Sequence, residues 1–366
     1  MGILEKIAEI EAEMARTQKN KATNYHLGTL KAKLAKLRTE LMEGPKGSGS
    51  SKGEGFDVMK SGDARVALIG FPSVGKSTLL SVLTETKSEA ANYEFTTLTC
   101  IPGVIYYNNA KIQLLDLPGI IEGASQGVGR GRQVIAVART SDLILMMCEA
   151  DKADIQRPLL EKELETVGIR LNKRRPQITF KRKASGGITF NKVCKLTKCP
   201  EETARRILQE YRIHNADVLF RADESIEDFI DVIEGNRVYL PCLYAYNKID
   251  TIFIEECDRL ARLPHSVVLS GNQSLNLDML LLNLWRHLGL LRVYTKRKGQ
   301  APDLSEPVIM RKGSTVKHFC HVLHRDLVNK FKYAFVWGTS AKHMPQRVGL
   351  SHMVADEDVI QIVTAS

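Results

Sequence analysis

Gly70, Gly75, Lys76 and Ser77 stand in the spacing Gly-x-x-x-x-Gly-Lys-Ser, directly after the apolar run Val66 to Ile69 and directly before Leu79, Leu80, Val82 and Leu83. Strand, loop and helix in that order are what a phosphate cradle requires. Glycines let the backbone bend so that successive N–H groups and a helix N-terminus point at an anion, while Lys76 brings a cation and Ser77 a hydroxyl for Mg²⁺. Pro72, Ser73, Val74 and Thr78 complete the expected nucleotide-binding loop. Taken alone, such a loop would suit a kinase, a helicase or a switch.

Two further motifs choose among these. Asp116-Leu117-Pro118-Gly119 ends a second apolar run, forty residues after Lys76. An Asp there can hold Mg²⁺ through water, and the Gly119 N–H can approach a γ-phosphate because no side chain blocks it. Asn247-Lys248-Ile249-Asp250 follows a third apolar run. A carboxylate accepts hydrogen bonds from the N1–H and 2-amino group of guanine, which adenine cannot supply, so the wrong base would leave the Asp250 charge unpaired. Asn247 is expected to contact the base and tie loops together, with the Lys248 stem over the ring. Backbone groups of Ser270 and Gly271 would close the site. Either motif alone could be a polar turn after a strand. In this order behind a phosphate loop, they indicate a guanine nucleotide and speak against an ATPase.

The elements that must carry these residues are short apolar strands at 66–69, 143–147, 240–246 and 267–270, plus a hairpin of 104–107 and 112–115 joined by Asn108-Asn109. Lys76 precedes Asn247 by 171 residues, whereas a minimal domain of this kind needs ~100. The excess is placed at 169–238 as an α+β insert with strands near 178–180 and 216–220 and helices near 203–211 and 226–234. Arg170, Lys173, Arg174, Arg175, Lys181, Arg182 and Lys183 give it a basic edge uninterrupted by acid. Such an edge can meet RNA phosphates, or it can simply keep a strand edge from aggregating.

Residues 1–43 read as a helical hairpin. Its stripes are Ile3, Ile7, Ile10, Met14 and Leu27, Leu30, Leu34, Leu37, Leu41, with a turn at 23–26 and a basic stretch from Arg16 to Arg38. The Gly/Ser-rich segment 44–60 is a flexible linker, so the hairpin is expected to be tethered to the nucleotide domain rather than packed on it. That domain then occupies 61–168 and 239–290. Residues 291–366 form a separate α+β unit with strands near 292–294, 307–310, 333–337 and 359–363, and one helix whose apolar face is Val316, Cys320, Leu323 and Leu327. His318, His321 and His324 flank that face, and no metal site is expected of them.

Over 366 residues, 43% hydrophobic content supports packed cores, and 52 basic against 42 acidic residues favour an anionic partner. No apolar run nears the ~18 residues of a membrane span, and the N-terminus is charged and amphipathic rather than a signal sequence. Lys6 stands where a myristoylation motif needs Ser or Thr. A soluble protein without a membrane partner is expected. Seven scattered cysteines suit a reducing compartment.

Joined with Phe95-Thr96-Thr97, these motifs look like the series of a translation-factor-class GTPase. More narrowly, Arg16-Thr-Gln-Lys-Asn-Lys-Ala-Thr23, the run from Leu117 to Arg132, Tyr211-Arg-Ile-His-Asn-Ala216 and Phe331-Lys-Tyr-Ala-Phe-Val-Trp-Gly338 resemble the developmentally regulated GTP-binding proteins, a branch of the Obg-related GTPases. The resemblance covers essentially the whole chain. It implies an α/β P-loop GTPase domain interrupted by a ribosomal-protein-like insert, an N-terminal helical element and a C-terminal TGS domain of β-grasp fold. It implies a cytoplasmic role with ribosomes and RNA in translation, rather than with DNA, and a dedicated regulatory partner carrying a zinc finger. GTP or GDP with Mg²⁺ would lie on Ser77, Thr97 and Asp116. Thr97 is preferred to Thr96 by the family's switch, and Lys76, Thr97 and Gly119 form the implied catalytic set.

Two departures matter. Ser270-Gly271-Asn272 stands where Ser followed by Ala or Cys is usual, and Ile120 stands where many GTPases carry a water-orienting Gln, a replacement shared by the Obg class. An apolar side chain cannot polarise water, so slow unaided hydrolysis is expected. Potassium-stimulated relatives often carry Asn where this chain has Ser73, which leaves K⁺ open without indicating it. The rival reading is a ribosome- or RNA-binding scaffold whose nucleotide is mainly structural. Single-turnover hydrolysis with ribosomes separates the two.

Overall fold

The computed structural model describes residues 2–18, 20, 23–43, 62–85, 101–116 and 139–364. In chain order the helices are α1 (Ile3–Arg16), α2 (Asn24–Glu43), α3 (Lys76–Glu85), α4 (Ala153–Thr166), α5 (Glu201–Glu210), α6 (Ile226–Glu234), α7 (Ile254–Ala261), α8 (Leu277–Leu288), α9 (Val316–Leu323) and α10 (Asp326–Asn329). The strands are β1 (Ala64–Gly70), β2 (Ile101–Tyr107), β3 (Ala110–Asp116), β4 (Leu143–Glu149), β5 (Ile169–Leu171), β6 (Ile178–Arg182), β7 (Ile188–Lys192), β8 (Ala216–Phe220), β9 (Val238–Leu240), β10 (Cys242–Asn247), β11 (Ser266–Val268), β12 (Leu290–Thr295), β13 (Asp303–Arg311), β14 (Phe331–Trp337), β15 (Gln346–Val348) and β16 (Asp358–Thr364). They fall into two compact units. One holds 1–58, 120–139 and 157–240; the other holds 59–119, 140–156 and 241–366.

In the second unit, β1, β4 and β10 are buried along their whole length, as parallel strands covered on both faces must be. The sheet runs β11-β10-β4-β1-β3-β2, parallel except for the edge strand β2. Asn108 and Asn109 join β2 to β3 with φ of 50° and 61°, the left-handed pair a two-residue hairpin turn demands. The strand expected at 240–246 begins two residues later. Pro241 has no N–H to donate to a ladder, and Leu240 pairs instead with Leu171 inside the first unit.

The C-terminal domain is a five-stranded sheet, β13-β12-β16-β14-β15, with Val316, Phe319 and Cys320 of α9 buried in its core. The single helix expected here is two. Backbone extends at His324 (φ −166°) and α10 follows separately. Phe319 takes the core position assigned to Leu323, which is 38% exposed. His318 belongs to the helix start, where its Nδ1 accepts from the Thr315 amide at 3.0 Å. Arg311 joins this domain to the loop before β4 through Asp142 at 2.6 Å, and the Asn109 amide donates to the Ser305 carbonyl at 2.6 Å.

In the first unit, β6-β8-β7 form a small mixed sheet packed with α5 and α6 around Ile207, Phe220 and Phe229. α2 joins the same core, contrary to the expectation of a tethered hairpin. Leu27, Leu30 and Ala32 are buried. A Cβ at Gly28 would lie 3.1 Å from Thr203 Cγ2. The Tyr211 hydroxyl donates to Glu234 at 2.7 Å and contacts the Ala32 carbonyl at 3.3 Å, Thr39 donates to Glu234 at 2.9 Å, and Lys31 pairs with Glu227. Gly28, Ala32 and Ala35 lie along one helix face, and small side chains there let helices approach closely. The turn expected at 23–26 is also shifted, because Asn24 to His26 are already helical and Thr23 closes the turn on Asn20 Oδ1 at 2.8 Å. α1 buries no residue and meets α2 through Glu11–Arg38 at 2.7 Å and Glu13–His26 at 3.0 Å. No described helix is long and apolar enough to cross a membrane.

Candidate nucleotide site

The buried strand β1 delivers the loop that turns into α3. Ser73 (φ 63°) and Gly75 (φ 92°) take the left-handed backbone that folds such a loop. Gly75 has a second reason to be glycine: a Cβ there would stand 2.4 Å from Asn247 Nδ2. Val74 is fully buried and anchors the loop, while Pro72, Ser73, Ser77 and Thr78 are exposed and Gly70 lies at the strand end. The Lys76 ammonium donates to the Gly70 and Phe71 carbonyls at 2.8 Å each. Burial lowers its pKa, partly opposed by the charge of Asp116. A phosphate would offer this cation charged acceptors, which make stronger hydrogen bonds than two carbonyls. Asp116 ends β3 almost wholly buried. The Ser77 hydroxyl and the Asp116 carboxylate are the hard oxygen donors that Mg²⁺ takes alongside water and phosphate.

At the base-reading end, Asn247 is 3% exposed. Its Nδ2 donates to the Val74 carbonyl at 2.8 Å and its Oδ1 accepts from the Gly271 amide at 2.9 Å. This one side chain therefore ties the phosphate loop to the loop after β11. Asp250 Oδ1 accepts from the Ser270 hydroxyl at 2.6 Å. The sequence points to the backbone of Ser270; its side chain is engaged as well, aiming the carboxylate. Lys248 sits in the left-handed region (φ 66°) with its ammonium on Glu149.

Glu149 escapes the motif reading. It is 7% exposed, ends β4 directly opposite Asn247, and accepts from Lys152 at 2.6 Å as well as from Lys248. Hydrogen bonds from Lys152 and then Lys248 hold its carboxyl below the ordinary range. The sequence carries one signal for it: an acid closing the otherwise apolar run Leu-Ile-Leu-Met-Met-Cys. Thr97, Gly119 and Ile120 lie outside the described residues, as do Phe95, Thr96 and the linker.

The insert's basic edge is divided. Lys173, Arg174, Arg175, Lys181 and Arg182 are exposed. Lys173 reaches Glu165 at 2.9 Å and Lys183 reaches Asp217 at 2.7 Å. Arg170 does not belong with them. Its guanidinium grips Asp231 at 2.7 and 2.8 Å, and Arg237 adds a third contact at 3.1 Å to the same carboxylate, which is 5% exposed.

Comparison with known proteins agrees with this geometry. A family model described as a 50S ribosome-binding GTPase matches residues 65–182, the C-terminal region of the same domain matches 185–290, and the TGS domain matches 291–364. Developmentally-regulated GTP-binding protein 2 of Mus musculus is 69% identical over 99% of this chain and 100% of its own. Developmentally-regulated G-protein 2 of Arabidopsis thaliana is 64% identical over 99% of this chain and 92% of its own. Among solved structures, the Schizosaccharomyces pombe YchF GTPase matches with a TM-score of 0.48 at 14% identity, covering 83% of this chain and 99% of that one. With a P-loop GTPase domain, an α+β insert, an N-terminal helical hairpin and a C-terminal TGS domain, the chain belongs to the developmentally regulated GTP-binding protein family.

Proposed function

We propose that the protein binds GTP with Mg²⁺ and hydrolyses it as a switch acting with ribosomes in cytoplasmic translation. The observation that carries the guanine reading is the junction at Asn247 and Asp250. A buried amide locks the phosphate loop to Gly271, and a hydroxyl-oriented carboxylate stands at the C-terminal end of a parallel strand, where α/β sheets receive ligands. In this reading Gly70, Pro72, Ser73, Val74, Gly75 and Thr78 line the phosphates, and Lys76 leaves its carbonyl partners to neutralise them. Ser77, Asp116 and Thr97 hold Mg²⁺, which would offset charge developing on the transferred phosphoryl group. Gly119 donates its amide to the terminal phosphate, and Asn247, Lys248, Asp250, Ser270 and Gly271 grip the base. Ile120 supplies no polar atom to the attacking water, so turnover is slow until an ion, a switch residue or a partner completes the site. The cycle orders and releases the segments after α3 and β3.

Residues 1–43, 61–168 with 239–290, 169–238 and 291–366 are the corresponding helical, nucleotide-binding, insert and TGS segments. Ribosome contact is assigned to the exposed cations at 173–175 and 181–182. A zinc-finger regulatory partner is expected from the family. Titration with GTP and ATP is the deciding experiment: tight GTP and weak ATP binding is expected, and equal affinity would sink the reading. Single-turnover hydrolysis with ribosomes, Mg²⁺ and graded K⁺ then tests the switch; a rate that never rises above background would leave a scaffold in its place.

A further inference from the structure

The TGS sheet has two faces of different character. Ala334 and Val336 of β14 are fully buried on the side of α9. Alternation along a strand sends Tyr333, Phe335 and Trp337 to the other side, where all three are half-buried. Their rings form a ladder, with centroids 5.3 Å apart for Tyr333 and Phe335 and 6.2 Å apart for Phe335 and Trp337. Cations stand at both ends. The Arg347 guanidinium carbon lies 4.0 Å from the Tyr333 centroid, and the Lys296 ammonium lies 5.7 Å from that of Trp337. The register sets Val363, Gln361 and Val359 of β16 beside the three rings, with Tyr294 of β12 beyond Val359. Residues 291–366 carry twelve Lys and Arg against six Asp and Glu. Two of those acids, Asp356 and Glu357, are engaged by Arg292.

We infer that this open face is a stacking platform for unpaired RNA bases. Rings two residues apart on a strand recur at about 6.8 Å, so successive bases can each lie on one ring. Aromatic stacking is sequence-tolerant, and flanking Arg and Lys take the phosphates. An apolar partner protein would have no use for a cation at each end of the ladder; a polyanion with flat bases uses both. The choice of RNA over DNA rests on the proposed ribosomal role, while the stacking site itself does not.

The test is fluorescence anisotropy of the full-length chain with a labelled unstructured eight-nucleotide pyrimidine RNA, and with its duplex form. Single-strand preference is expected. Trp337→Leu and Tyr333→Leu should each weaken binding roughly tenfold, at the usual ~1–3 kcal/mol per stacked base. Trp337→Phe should restore most of the affinity, and Arg347→Ala should flatten the salt dependence. Folding of each variant is checked by thermal unfolding. If the Leu variants of a folded protein bind as wild type does, if duplex binds equally, or if binding vanishes only in a Lys173→Ala, Arg174→Ala, Arg175→Ala triple variant, the platform is refuted. Ribosome co-sedimentation is measured in parallel. Loss of ribosome association with oligonucleotide binding intact counts against the ribosomal proposal, not against this face.

Discussion

Around Asn247 the polar side chains are already occupied: the amide by Val74 and Gly271, Asp250 by Ser270, and Glu149 by two lysines. From Lys173 to Arg182, most of the insert's cations stand in solvent. A buried polar network is costly to disturb and fixes a site's geometry before a ligand arrives. Exposed cations contribute little to folding and respond to ionic strength. The first arrangement suits recognition of one base; the second suits a long polyanion met in many registers. Arg170 crosses the divide, belonging to the basic run in sequence and to a buried ion pair in space.

Four substitutions would break or sharpen this contrast. The largest effect is expected from Asp231→Ala, which strands Arg170 and Arg237 together. Removing one side of a buried ion pair costs ~3–5 kcal/mol, and thermal unfolding would show it; a loss under ~1 kcal/mol would return Arg170 to the exposed set. Asn247→Ala should follow at about 1–3 kcal/mol, the cost of unsatisfied buried partners, together with severe loss of GTP affinity in calorimetry. Glu149→Gln should weaken GTP binding about tenfold, worth ~1.4 kcal/mol. Discrimination against ATP should survive, because Asp250 and Ser270 are untouched; equal loss of specificity would mean that Glu149 shapes the whole loop. Since the Glu149 carboxyl is held below its ordinary range, its stabilisation is fully present above the unfolded carboxylate pKa. That stabilisation is lost as pH falls through the folded pKa, and the Gln variant should lack this share of acid sensitivity. The smallest effect on stability, within ~0.5 kcal/mol, is expected for Arg174→Ala with Arg175→Ala. The salt slope of ribosome association should nevertheless flatten by about two, and an unchanged slope would remove these residues from the interface.

The strands of the nucleotide domain are legible in the sequence because parallel strands buried on both faces are uninterrupted apolar runs, and the motif residues are legible because phosphate and guanine dictate their chemistry. Other features are not, each for a physical reason. The Leu stripe reveals α2 as a helix, whereas Gly28 and Ala32 on the same helix allow its docking, and small residues carry no hydrophobic signal. Arg170 looks like its neighbours because pairing with Asp231 is a tertiary fact sixty-one residues away. Glu149 belongs to no short motif, yet strand pairing sets it opposite Asn247. α9 and α10 read as one helix because Leu327 continues the spacing, and only the extended backbone at His324 separates them.

Asp142 lies in the loop before β4, yet three elements meet there. It accepts from the Arg65 amide at 2.9 Å, returns its own amide to the Arg65 carbonyl at 2.8 Å, and holds Arg311 of β13. Arg65 is at the foot of the strand whose far end is the phosphate loop. Cutting the chain at residue 290 would therefore do more than remove a neighbour: it would unpin one end of β1. A GTPase rate measured on the nucleotide domain alone would describe a looser molecule than the one the cell uses, and the C-terminal domain is better regarded as part of the enzyme's chassis than as its cargo.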